Sequence, residues 1–219
     1  NIIMGNKQFN RRQFMNTIGL SAFTIGALTV PSLGYGRQPA VADRNINHIG
    51  PMEGYTPQIG ALVSMLEWIS DSVKKKKKKL SVEQLDYLHD DKSNTIGSML
   101  LHLAATERFY QIHTFDEKKW GDWGEEDSKK FGVARELGDE ARKAIKGNNL
   151  NYYLDALQEV RNNTTNEFKK RDDNWLMSVD EKWYWGPTNN YCKWLHVREH
   201  ESNHNGQMKW IRGRVPKNK

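Results

Sequence analysis

The chain has 219 residues, of which 37% are hydrophobic and eight are tryptophan, so it is long enough to bury one core and still carry a leader. Its formal charge of +6 is local: residues 1–42 hold four Lys/Arg and no acid, and six more lysines form the run Lys74 to Lys79. Basicity confined to a leader and one lysine run, with no aromatic residues interleaved, argues against a nucleic-acid partner, and a single cysteine, Cys192, excludes an internal disulfide.

The first 42 residues read as a twin-arginine export signal. Arg11 and Arg12 precede Gln13, Phe14 and Met15, and an uncharged stretch runs from Asn16 to Gly36. Pro31 and the scattered Gly, Ser and Thr make that stretch a poor membrane span, and Ala40-Val41-Ala42 offers cleavage after Ala42, with an uncleaved anchor as the alternative. The expected product is a single domain over 43–219, delivered by the twin-arginine machinery to a periplasmic or other extracytoplasmic location. That route exports folded proteins, so a metal can be loaded before export.

Periodicity then gives four long helices and little strand, an all-α helix bundle. The first runs from about Gln58 to the lysines, with Ile59, Leu62, Val63, Leu66 and Ile69 at the spacing of a buried face. The lysines read as a solvated helix end that complements the helix dipole, or as a contact for an acidic partner or membrane surface. The second follows Ser93 and Asn94 and continues to about Phe115. A looser region with Gly121, Gly124 and Gly132 includes a short helix from Glu136 to Ile145 and ends at Gly147-Asn148-Asn149. The third long helix spans roughly Asn151 to Lys170, with Tyr153, Leu154, Leu157, Val160 and Phe168 inward. An aromatic loop leads to the fourth, started by Pro187 and Thr188.

The fourth helix carries His196, His200 and His204, four residues apart. Neighbours at that spacing differ by about 40° in direction and about 6 Å in height, so an adjacent pair can share an ion, whereas His196 and His204 stand about 12 Å apart. One pair therefore binds and another ligand comes from elsewhere. The segment His200-Glu201-Ser202-Asn203-His204 matches the zinc-protease pattern HExxH. The fifteen residues after His204 contain no His, Asp or Glu to serve as a third ligand, which argues against a protease. His102 is the natural third ligand, because Ser98, Ala105 and Thr106 on its helix face leave room for an ion. His113 shares that face about 16 Å further along and is too far to join it. Cys192, one turn before His196, is a soft-ligand candidate, with a small buried hydrophobe the ordinary reading.

The segments SNTIGSMLLHLAATERFY and HVREHESNHNGQMKWIRGRVP resemble the DinB/YfiT-like four-helix-bundle family of metal-dependent enzymes, over nearly the whole mature chain. The resemblance implies an up-down-down-up bundle with an ion near one end, held by His102, His200 and His204, with His196 lining the cavity or the core. Asn205 stands where the family often has Arg, which puts an anion contact there in question; Gly206 and Gln207 are retained, and Gly206 is expected to permit close helix packing.

A three-histidine site keeps a coordination position open, as a catalytic zinc, nickel or iron ion requires. Such an ion activates water or a thiol, and members of the family include thiol-dependent transferases and isomerases. The expected function is an exported metal-dependent hydrolase or thiol S-transferase acting on a small molecule. A non-catalytic metal-binding bundle and an extracytoplasmic interaction protein using the lysine run are the alternatives. Glu107 and Glu201 are candidates for proton transfer or ligand support, with solvent exposure the ordinary reading, and Trp183, Trp185 and Tyr191 are candidates to wall the pocket. A homodimer is compatible with all of these.

Overall fold

The computed structural model describes residues 44–75, 79–119 and 121–216. The expected export leader with its expected cleavage site, and the middle of the lysine run, lie outside the described residues. Among those described, helices α1 (Pro57–Lys75), α2 (Val82–Leu85), α3 (Ile96–Thr114), α4 (Glu125–Glu136), α5 (Gly138–Ala144), α6 (Leu150–Phe168), α7 (Asp173–Met177) and α8 (Asn190–Arg212) follow one another. A two-residue antiparallel pair, β1 (Val179–Asp180) with β2 (Thr188–Asn189), precedes α8. None of these helices is long and apolar enough to cross a membrane.

The four long helices α1, α3, α6 and α8 form the bundle, and side-chain pairings fix their directions. Gly97 near the start of α3 meets Tyr153 near the start of α6, and Gln111 near the end of α3 donates to the Val160 carbonyl and Thr164, so α3 and α6 run parallel. His102 early in α3 meets His200 late in α8, and Tyr110 late in α3 meets His196 early in α8, so these two are antiparallel. Asn205 of α8 donates to Ser72 at the end of α1, which makes α1 and α8 parallel. The topology is up-down-down-up, an all-α DinB-like bundle.

Capping sets the starts of these helices. Thr95, rather than Ser93 or Asn94, accepts from Ser98 N at 3.0 Å to begin α3; Asn149 accepts from Tyr152 N to begin α6; Asn189 accepts from Cys192 N to begin α8, two residues beyond Pro187. The start of α1 is capped from a distance, by the Asp173 carboxylate on Gln58 N, Ile59 N and Thr56 Oγ1. The looser region contains a twelve-residue helix, α4, where the sequence gives only the shorter α5 region. Only Phe131 and Ala134 of α4 are buried, so it has little apolar periodicity to reveal it. Leu137, at φ +57°, breaks α4 from α5.

Apolar packing falls into two clusters. One joins α3, α4, α5 and α6 with Met208 and Ile211 at the end of α8; the other joins α1 and α7 with Phe168, Trp183, Trp194 and Val197. Lys193, almost fully buried, ties the aromatic loop to α8 through Asp180 at 3.0 Å and the Trp183 ring at 4.1 Å.

Close approach is needed at Gly60, not at Gly206. A Cβ on Gly60 would run into the Met52 and Pro51 backbone, whereas Gly206 has nothing within 4 Å of that position and sits at the mouth of a cavity. Gly60→Ala should therefore cost about 1 to 3 kcal/mol through a forced backbone shift. Gly206→Ala should be neutral or stabilising by up to about 1 kcal/mol through helix propensity. Denaturant unfolding of the two variants checks the contrast.

Candidate metal centre

His102 from α3 and His200 and His204 from α8 converge, with one ring nitrogen from each lying within 4.8 Å of the others. The antiparallel contact of α3 and α8 brings the one-turn pair of α8 against the single histidine of α3. His102 and His204 are each 8% exposed and His200 is half-buried. The ring centroids stand 4.9, 4.9 and 4.5 Å apart around the triangle.

Two of the three rings have their tautomers set by neighbours. His102 Nδ1 lies 2.8 Å from the Ala134 carbonyl, so that nitrogen carries the proton and donates, leaving Nε2 with a lone pair. His204 Nδ1 lies 3.0 Å from Gln207 Oε1 and donates in the same way. His102 Nε2 faces His200 Nε2 at 2.9 Å, a contact that two lone pairs can make only around a shared proton or a cation. Two nitrogens on a tetrahedral ion stand about 3.3 Å apart, so a small opening of this pair admits one. The donor set thus fits a divalent transition metal: three imidazoles, two of them oriented by acceptors behind the ring, which is how histidine ligands are held in metal sites.

Burial keeps these rings neutral. It pushes His102 down to about 4 and His200 down to about 3 from the ordinary value of 6.5, and it lowers His204 as well. For His200 the neighbouring histidines add to the effect of burial. At neutral pH the triad is therefore in the state that binds metal.

Behind the triad lies a buried ionic network that the sequence did not reveal. Arg161 of α6 donates Nε and Nη2 to the two Glu107 oxygens at 2.8 and 3.0 Å, Nη2 also to Glu201 at 2.8 Å, and Nη1 to the Leu66 carbonyl at 2.7 Å. Thr164 donates to Glu107 at 2.6 Å. Glu107 and Glu201 are thus buried, at 2% and 4% exposure, rather than in solvent. Burial pushes the Glu201 carboxyl up while Arg161 opposes it. Although burial disfavours its charge, Arg161 is held above its ordinary value by Glu107 and Glu201. A void of about 10 Å³, room for one water, is bordered by His200, Thr106, Glu107 and Glu201 and joins the network to the triad.

Two larger cavities approach the triad through residues that contact it, Thr106 and Gln207. One of about 350 Å³ is lined by Thr106, whose hydroxyl is 3.4 Å from His200 Nε2, and by Phe109, Tyr110, Tyr184 and His196. The other, of about 500 Å³, is lined by Gln207, Met99, Trp210, Ile211 and Lys92. His196 lies outside the triad, on the wall of the first cavity, with Nδ1 2.7 Å from the Tyr110 hydroxyl.

Other sequence candidates are placed elsewhere. His113 is turned to the Lys118 carbonyl at 2.8 Å, and Asn205 is buried against Ser72 of α1, away from the triad. Cys192 is exposed in the first turn of α8, so it is neither a buried hydrophobe nor a neighbour of the histidines. Trp183 is core, Trp185 packs against His196 from outside at 5.3 Å, and Tyr191 packs on the apolar cluster around α1. Tyr184 is the loop residue that lines a cavity. Gln207 and Ala134 complete the centre. Gln207 is legible as the residue one turn after His204, and Ala134 is not, because its carbonyl depends on where α4 lands.

Residues 61–216 match the family model described as mycothiol-S-transferase. No curated protein matches the chain. Among solved structures, a conserved protein from Enterococcus faecalis superposes with a TM-score of 0.53 at 16% identity, covering 69% of this chain and 92% of that one, a likeness of fold.

Removing Arg161 leaves two buried carboxylates facing each other, so Arg161→Ala should destabilise the protein by about 3 to 5 kcal/mol in denaturant unfolding. The triad gives a pH signature. A metal-free folded chain resists protonating His102 and His200 until well below 6.5, whereas the unfolded chain accepts those protons near 6.5. Stability from this source is complete above pH 6.5 and is lost as pH falls toward 4. Between pH 7 and 5 the loss from His102 should be on the order of 1 to 2 kcal/mol, and the slope should flatten in His102→Asn. Thermal melts of both proteins in chelator check it.

Proposed function

Because the chain belongs to the mycothiol-S-transferase family of DinB-like proteins, we propose that it is a metal-dependent thiol S-transferase whose divalent ion is held by His102, His200 and His204. The observation that carries this reading is the convergence of three neutral imidazoles, two of them oriented by acceptors, beside a cavity large enough for a small molecule. When bound, the ion supplies Lewis acidity, bringing the pKa of a thiol or water toward neutrality. Zinc, nickel and ferrous iron each accept imidazole ligands.

The residues of the chain supply position. Ala134 and Gln207 hold His102 and His204 by their Nδ1 protons, so their Nε2 atoms stay available. The Thr106 hydroxyl, at the edge of the cavity and 3.4 Å from His200 Nε2, can hydrogen-bond a sulfur or oxygen nucleophile there. Glu107 and Glu201 act through Arg161 as positioning residues, because both carboxylates are engaged by that guanidinium. The leader adds the proposal that this chemistry takes place outside the cytoplasm. Low-molecular-weight thiols are scarcer there, so hydrolysis with water as nucleophile is the second reading.

Elemental analysis of the leader-free protein, purified without a histidine tag, should find about one transition metal per chain. It should be lost from His102→Ala, His200→Ala and His204→Ala and kept in His113→Ala and His196→Ala. Conjugation of a low-molecular-weight thiol to a chromogenic electrophile should fall by at least about 100-fold in the three ligand variants. Stoichiometric metal in all three would overturn the site, and turnover of simple esters without any thiol would select the hydrolase.

A further inference from the structure

The cavity of about 350 Å³ that meets the triad at Thr106 has a composition its metal chemistry does not explain. Phe109, Tyr110, Tyr184 and His196 give it aromatic walls, and its charged residues, Arg135 and Glu136, are paired with each other at 2.7 Å. A charged ligand would have to compete with that pair, whereas a flat uncharged one gains stacking area at little cost. The wall also offers one directed hydrogen bond. Burial holds the Tyr110 hydroxyl well above its ordinary pKa, so it stays protonated, and His196 Nδ1 at 2.7 Å is the partner in place to receive that proton. His196 Nδ1 is then an acceptor, and the ring proton of its neutral form sits on Nε2 as a donor. The second cavity, of about 500 Å³, carries Lys92 and the amide of Gln207 and is linked to the triad through Gln207, the partner of His204 Nδ1, which leaves room there for a polar thiol.

We propose that the smaller cavity is the acceptor subsite and takes an uncharged, planar α,β-unsaturated ketone or quinone, with His196 Nε2–H on its carbonyl oxygen. The assignment rests on the thiol-transferase reading. Addition of a thiol across the conjugated alkene needs no oxidant or reductant. The S–C bond forms at the β carbon, the π pair moves toward the carbonyl oxygen, and the thiol proton ends on the α carbon of an enone, or on oxygen where a quinone becomes the hydroquinone and its ring proton moves to the second oxygen. The His196 donor stabilises the charge that gathers on oxygen during the addition.

The test uses 1-tetralone, which has the ring and the carbonyl but no conjugated alkene to react with exposed Cys192, and follows binding to the leader-free protein by calorimetry without thiol. Tyr184→Ala should weaken binding about tenfold, His196→Phe about fivefold, and His196→Gln, which restores an N–H donor, should recover most of that loss. Trp210→Ala, on the other cavity, should leave binding unchanged, and the anion 1-naphthoate should bind at least about tenfold more weakly than the ketone. Tetralone binding insensitive to both Tyr184→Ala and His196→Phe, or abolished by Trp210→Ala, would overturn the subsite. The two proposals fail separately. Localised tetralone binding in a chain that holds no metal sinks the transferase and keeps the subsite; metal-dependent thiol transfer with tetralone bound elsewhere does the reverse.

Discussion

One guanidinium touches all four long helices. Arg161 on α6 binds Glu107 of α3, Glu201 of α8 and the Leu66 carbonyl of α1, each within 3.0 Å. Apolar packing tolerates sliding of one helix against another at modest cost, but a buried charge with three directed partners does not. Glu201 is the residue after His200, and Glu107 lies five residues beyond His102 on the same helix. Fixing those carboxylates on one fork therefore fixes the height at which α3 and α8 present their histidines. The register of the metal centre is set by an interaction that contributes no ligand.

The network also shapes the electrostatics of the centre. One guanidinium shared by two buried carboxylates sets Glu107 and Glu201 next to His200, across a void that holds no more than a water. Lys74 interacts with the same network, its ammonium disfavoured by burial and by Arg161 and favoured by Glu201 and Glu107. On the other side, the carbonyl of Ala134 in the last turn of α4 points its negative end at His102, as helix C-termini do toward cations. Neutral imidazoles with free lone pairs, one of them backed by a carbonyl, suit a cation rather than an anion. The same burial that keeps the imidazoles unprotonated strengthens every such interaction by lowering the local dielectric.

Much of this was legible in the sequence, for physical reasons. Helices α1 and α6 each bury an apolar face that spacing of three and four residues reveals directly, whereas α3 is buried almost all round and α8 buries Lys193, Glu201, His204 and Asn205 among its apolar residues. The three converging histidines were legible because two lie one turn apart in an otherwise polar run and the third stands among small residues. Arg161 was not read, although it lies four residues after Leu157 and three before Thr164 on the inward face of α6. A charge at a core position announces a buried partner, and the partners were the two glutamates singled out for proton transfer or ligand support, with solvent exposure as the ordinary alternative. Gly206 misled in the opposite way: glycine within a helix signals either close approach or an open edge, and the sequence cannot choose between them. The contribution of α4 was hidden because a backbone carbonyl has no sequence identity, and the short aromatic run from Trp183 to Trp185 concealed which ring faces the cavity.

The division of labour between Arg161 and the histidines bears on what an ion does here. A structural metal usually joins segments that nothing else holds, so its binding energy becomes folding energy. In this bundle α3 and α8 are already joined through Glu107, Arg161 and Glu201, and by the packing of Met99 and Leu100 with Met208 and Ile211. An ion at the triad would tighten a contact that the scaffold has made, and its binding energy would be free for the chemistry of whatever enters from the cavities. A rigid scaffold and three ligands, with one cavity linked through Thr106 and another through Gln207, is the arrangement expected where two molecules meet at a metal. It is poorly suited to an ion whose task is to keep the protein folded.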